Sequence, residues 1–248
     1  MPVYRQQKKR VLLLVATGVV SLLALFFMQP LAQSLAYHDF SDQQSLFGIN
    51  NFWNVISNIP FLLVGVAGLG LCIGNADLGE RLSWGILFAS VSFVAFGSSY
   101  YHLSPDNATL VWDRLPMAIA FMGLFVALLS EYADDRAQKY LLVPFLALGV
   151  FAVGYWAIFD DLRFYIWVQF FPLVSIVLML LLFDGRYDQK LYIWVALFFY
   201  VLAKWLEYAD DQIYIATGEL IGGHPIKHLM SAAGIFLLYK MLQQRRLA

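Results

Sequence analysis

Residues 82–103 read LSWGILFASVSFVAFGSSYYHL, an apolar run without a Lys, Arg, Asp or Glu that closes on His102. About 20 such residues, wound at about 1.5 Å per residue, suffice to cross about 30 Å of hydrocarbon as a helix. Comparable runs cover 11–29, 52–73, 109–130, 140–159, 164–183, 191–209 and 223–241, so the expected fold class is an all-α membrane protein with eight transmembrane helices. Composition agrees: of 248 residues 61% are hydrophobic and only 13% charged, with a mean hydropathy of +0.68, far outside the range of ordinary soluble domains.

The connections are short and carry helix breakers, such as Ser104-Pro105-Asp106-Asn107, Asp184-Gly185-Arg186-Tyr187 and Thr217-Gly218-Glu219. No composition shift divides the chain, so residues 1–248 are expected to form one transmembrane domain. A formal net charge of -1 gives no footprint for nucleic acid, and no protein partner can be inferred. With Cys72 the sole cysteine, an intramolecular disulfide and a multi-cysteine zinc knuckle are both excluded. Any metal must be held by imidazole and carboxylate.

Positive charge orients the bundle. With a cytoplasmic N-terminus, the cytoplasmic segments hold Arg5, Lys8, Lys9 and Arg10, then Arg81, Arg136 and Lys139, Arg186 and Lys190, and finally Lys240, Arg245 and Arg246. Arg163 is the clear loop exception, while Arg114, Lys204 and Lys227 fall inside helices or at their ends. Both termini are therefore expected in the cytoplasm. The first apolar run exceeds the about 7 to 15 residues of a signal-peptide core, so it is read as a retained helix.

The polar residues within the runs gather at the non-cytoplasmic end. His102 ends the third helix and His224 begins the last, with His228 on the same face one turn further in. Pro225 is tolerated there because a first-turn proline has no N–H to lose. Ser98 stands in i, i+4 relation to His102, and Asp113 returns to similar depth across the Ser104–Asn107 turn. Three neutral imidazoles suit Zn²⁺ and leave a fourth position to water, the open arrangement of a catalytic site. Zinc lowers the pKa of such a water to about 7 and polarises a carbonyl. Asp113 would carry the proton and Ser98 would donate to the developing oxyanion, a plan for hydrolysing a lipid ester or amide. A lone membrane histidine is often only an interhelical hydrogen-bonding residue; the HxxxH pair in register with Asp113 and Ser98 favours the metal. His38, in a polar loop with Asp39, Ser41 and Asp42, reads as solvated.

Lys204, Glu207 and Asp211 recur at i, i+3 and i+7 on one helix face leading toward the histidines. Lys204 and Glu207 read as a structural ion pair, or else as a proton path or substrate contact around the site. The pentapeptide EYADD at 131–135 and 207–211 is read as chance, because the topology puts the copies on opposite sides.

Asn51-Phe52-Trp53-Asn54-Val55-Ile56-Ser57-Asn58, Gly97-Ser98-Ser99-Tyr100-Tyr101-His102, Asp113-Arg114-Leu115-Pro116-Met117 and Gly223-His224-Pro225-Ile226-Lys227-His228-Leu229 together resemble the alkaline ceramidase family, in a bacterial-type form. That family sits in a wider superfamily of membrane hydrolases with the adiponectin receptors. The resemblance implies a seven-helix core over 51–241, with 1–50 as an added N-terminal helix and loop in an inner cell membrane. It implies His102, His224 and His228 as zinc ligands, Asp113 as acid/base and Ser98 as oxyanion or zinc-shell residue. The implied reaction is hydrolysis of ceramide, entering from the bilayer, to a sphingoid base and a fatty acid. One departure bears on calcium: the family has an acidic N-terminal segment and a Glu before Phe-Trp-Asn, where this chain has Asn51 preceded only by Asp39 and Asp42. Calcium favours several carboxylates, so a site at Asp39, Asp42 and Asn51 would be weak or absent, and Asp39 and Asp42 read as a solvated loop. Two other functions fit parts of the pattern. One is a receptor or scaffold with structural zinc, though the chain lacks the sizeable soluble domain that reading predicts. The other is an ion or proton carrier built on Lys204 and Glu207.

Overall fold

The computed structural model describes residues 2–248, with side chains from Gln7 onward. Among these residues the fold is helical, without strands, in the order α1 (Pro2–Ala24), α2 (Phe52–Ile56), α3 (Ile59–Gly74), α4 (Arg81–Leu103), α5 (Asn107–Tyr132), α6 (Ala137–Phe159), α7 (Arg163–Leu182), α8 (Lys190–Tyr208), α9 (Asp210–Ala216) and α10 (Gly223–Gln244). Seven segments of the described residues are long and apolar enough to cross a membrane: Gln7–Phe27, Phe52–Gly74 and the helices α4 to α8. The 22-residue α10 is long enough but less apolar, since it carries His224, Lys227, His228 and Lys240. Large apolar side chains such as Leu63, Phe93, Val143, Phe198 and Val201 face outward. An exterior of that kind suits lipid rather than water, and the protein is a multi-pass membrane protein.

Helix bounds follow the expected runs, with two informative differences. The first helix starts well before the apolar run, because the basic residues ahead of it are good helix formers whose propensity a hydropathy reading does not see. The second run is broken at Ser57 and Asn58, between α2 and α3. Pro60 has no N–H to give to the Ile56 carbonyl, and at the break the Asn58 backbone N–H turns to Val55 while its side-chain amide donates to the Asn54 carbonyl at 2.8 Å. The break leaves Ser57 facing inward.

At the centre, α4 packs most extensively against α5 and α3, and α10 against α8. The far ends of α10 touch the two ends of α4. His224 meets His102 near the C-terminus of α4, while Arg245, just past α10, lies over Trp84 near its N-terminus. Arg245 also pairs with buried Glu131 at the end of α5. The outermost helix, α1, rests on α7, where the Trp167 indole donates to Ser21 at 2.9 Å. By contrast α7 and α8, consecutive in the chain, make almost no backbone contact.

Candidate metal centre and active site

Two close approaches build the site. An ideal Cβ on Gly97 would lie 2.0 Å from the Trp112 carbonyl oxygen, so only glycine lets α4 come this near α5. That carbonyl is the one stripped of its helical donor by Pro116. Ser98 and Asp113, the next residues along each helix, thereby come to line one cavity together. Likewise a Cβ on Gly223 would stand 2.2 Å from the Leu206 carbonyl oxygen, which seats the start of α10 on the end of α8. The turn between α4 and α5 is set by a capping box: Asp106 accepts from the Thr109 amide at 2.6 Å while the Thr109 hydroxyl accepts from the Asp106 amide at 3.1 Å.

The three histidines meet. One nitrogen from each of His102, His224 and His228 lies within 4.8 Å of the others, all three residues are buried, and among the described residues no other group of three or more His, Cys, Asp or Glu could share an ion. Their ring centroids are 4.9 to 5.1 Å apart. The His228 Nδ1 is 2.8 Å from the Ser57 hydroxyl, leaving Nε2 toward the other rings. His102 Nδ1 is buried without a hydrogen-bond partner. Three converging imidazoles, one with an unsatisfied buried nitrogen, fit a soft-to-borderline divalent ion such as zinc.

The loop between α1 and α2 covers this group. Phe40 packs at a steep angle against His102 and His224, with ring centroids 4.8 and 4.5 Å apart. Ser41 donates through its amide and hydroxyl to Asp210, whose other oxygen accepts the His224 amide at 2.7 Å. His38 is not solvated as expected: it is half-buried, 2.8 Å from the Tyr101 hydroxyl and 2.9 Å from the Asn107 side-chain oxygen, because the loop folds back onto the α4–α5 turn. Asp42 is a second correction. It is fully buried, its backbone carbonyl accepting from Asn54 at 2.9 Å, and burial pushes its carboxyl above the usual range. Asp39 is exposed, as expected. Asn51 adopts a left-handed backbone and donates its amide to the His102 carbonyl at 2.8 Å, a bond that a glutamate at this position could not make.

Behind the histidines lies a cavity of about 300 Å³, reached by Ser98, Asp113 and His228 and otherwise walled largely by apolar side chains of α4, α5, α7, α8 and α10. Lys204 and Glu207 also line it and are paired at 2.6 Å. Lys227 is the partner sequence reading did not identify: it binds the other oxygen of Glu207, which also accepts from the Tyr37 hydroxyl at 3.3 Å. Its position between the two histidines of HxxxH was the available signal. Asp211 does not continue this face. α8 ends at Tyr208 and a new helix starts at Asp210, so the i+7 register is lost and Asp211 instead meets Ser41.

The ceramidase family model matches residues 44–193 of the 248. The chain belongs to the ceramidase family. The matched segment holds Ser57, Ser98, His102 and Asp113, and the fold brings to them His224 and His228 from beyond it. No curated protein matches the chain.

Proposed function

We propose that this ceramidase-family member is a zinc-dependent intramembrane amide hydrolase acting on ceramide or a related N-acyl lipid. The observation that carries the reading is the meeting of His102, His224 and His228 beside Ser98 and Asp113 at the end of a largely apolar cavity. His102, His224 and His228 would hold the ion, and zinc supplies Lewis acidity toward a carbonyl and an acidified water. Asp113 takes the proton that water loses and returns it to the leaving nitrogen as the C–N bond breaks, giving a carboxylic acid and an amine. Ser98 donates its one hydroxyl proton to the oxygen that gains charge. Ser57 holds His228 in one tautomer and orientation, as outer partners of ligating histidines do. Phe40 shields the group from outside water, which strengthens every charge interaction within.

Access from the bilayer is supported by the sparse contact between α7 and α8, both of which line the cavity and are bridged by Gln169 donating to Tyr200 at 3.0 Å. Eight spans, in one domain with an added first helix, are supported by α10 running the length of α4 and by the peripheral seat of α1. In the orientation favoured by the basic loops, both termini are cytoplasmic and the metal lies toward the far side of an inner cell membrane. The carrier alternative loses its footing because Glu207 is tied to two lysines.

Fatty-acid release from ceramides, other N-acyl lipids and lysolipid esters tests the reading, with Asp113→Ala and His228→Ala as controls. Turnover of amides that both substitutions remove is expected; turnover that survives His228→Ala contradicts it. Equal turnover of esters and amides would remove the amide preference.

A further inference from the structure

Arg114 follows Asp113 on α5 and is buried, 6% exposed, in the cavity wall. Its guanidinium lies over the rings of Trp156 at 4.2 Å, Tyr165 at 4.7 Å and Tyr37 at 5.4 Å. One nitrogen, Nη2, donates to the Gln33 side chain at 2.6 Å. The other, Nη1, is buried with no hydrogen-bond partner. No carboxylate of the described residues forms a salt bridge with Arg114, whereas Glu207 is shared by two lysines. The charged side chains of the cavity are Arg114, Lys204 and Lys227 against Asp113 and Glu207, one positive charge in excess. Aromatic faces stabilise a guanidinium but do not neutralise it, and an ionised group at membrane depth is ordinarily paired. A planar donor fork with a free arm suits a carboxylate.

We infer that Arg114 is the anchor for an anionic group, a carboxylate, of the lipid held in the cavity. The inference rests on the cavity being the lipid site proposed above. The carboxylate could belong to the released fatty acid or to an acidic headgroup of the amide substrate, and the two sources separate in the test.

The full-length protein is titrated with oleate and with oleamide, which share a chain and differ in charge, before and after metal chelation. A charge-assisted hydrogen bond at a desolvated site predicts that Arg114→Met weakens oleate about tenfold or more and leaves oleamide unchanged, with Arg114→Lys between. Independently of any variant, oleate should raise the unfolding temperature of the unaltered protein more than oleamide at equal concentration. Equal shifts overturn the inference. So does an equal loss for both lipids in Arg114→Met, or a preference for oleate that vanishes on chelation, which assigns the anion to the metal. Hydrolysis separates the sources. An acidic headgroup predicts that Arg114→Met lowers kcat/KM for N-oleoylglycine by a clearly larger factor than for N-oleoylethanolamine. A product carboxylate predicts that the substitution weakens oleate inhibition by a larger factor than it changes kcat/KM, and that it changes kcat/KM alike for the two substrates. Retained oleate preference without turnover of any amide would sink the hydrolase reading alone.

Discussion

The Ser57 hydroxyl occupies Nδ1 of His228, so removing it frees the ring to turn while leaving every ligand present. Ser57→Ala is expected to lower metal affinity about 10- to 100-fold, read by chelator competition; unchanged affinity would show that His228 is held by packing alone. At Glu207 the two lysines are not equivalent. Lys204 is 40% exposed and Lys227 14%, so the first pair is worth little and the second carries the electrostatics. Glu207→Gln strands Lys227 and should cost about 3 kcal/mol of stability in detergent, whereas Lys204→Met should cost under about 1 kcal/mol; equal effects would contradict the ranking. The histidines, Ser98 and Asp113 were legible in the sequence because helical spacing places them at one depth. Ser57 and the burial of Asp42 and His38 were not, since they depend on a helix break and a folded-back loop, neither of which leaves a periodic signal.

Helix packing here turns on single positions. Gly97 meets backbone of α5 rather than a yielding side chain, so Gly97→Ala must push α4 from α5. The expected cost is about 1 to 3 kcal/mol, with the separation of Ser98 from Asp113 depressing turnover more than metal content. Preserved turnover at lowered stability would show that the two helices relax elsewhere. The start of α5 depends on Asp106, whose carboxyl is held below the usual range chiefly by the Thr109 amide. A carboxyl depressed on folding stabilises above its unfolded pKa of about 3.9, and that contribution fades as pH falls through the folded value. The stability gap between the protein and Asp106→Ala should therefore be full at neutral pH and shrink below about pH 4; thermal unfolding across pH checks it, and a gap independent of pH would contradict it. Apart from the early start of α1, helix bounds were readable from apolar runs to within a few residues. The split between α2 and α3 and the fresh start of a helix at Asp210 were hidden, because Asn58 and Asp210 act through side-chain hydrogen bonds inside otherwise apolar or helical patterns.

Across the whole molecule, α10 is the long helix of the described residues that is not apolar enough to count as a span, and the one the site needs most, for the histidines and lysine it carries to the centre dilute its apolar face. A cysteine at Glu219 and one at Arg246, both exposed and introduced after Cys72→Ser, should be labelled from opposite faces of the membrane if α10 crosses it. Labelling from one face would leave seven spans. The central claim is that side chains from α4 and α10 share a single divalent ion. X-ray absorption of the purified protein, with metal stoichiometry, tests it directly. The account predicts one zinc per chain in a first shell containing three imidazole nitrogens at about 2.0 to 2.1 Å, lost in His102→Ala and in His228→Ala alike. Zinc retained at full stoichiometry in either variant, or a shell without imidazole, would contradict it.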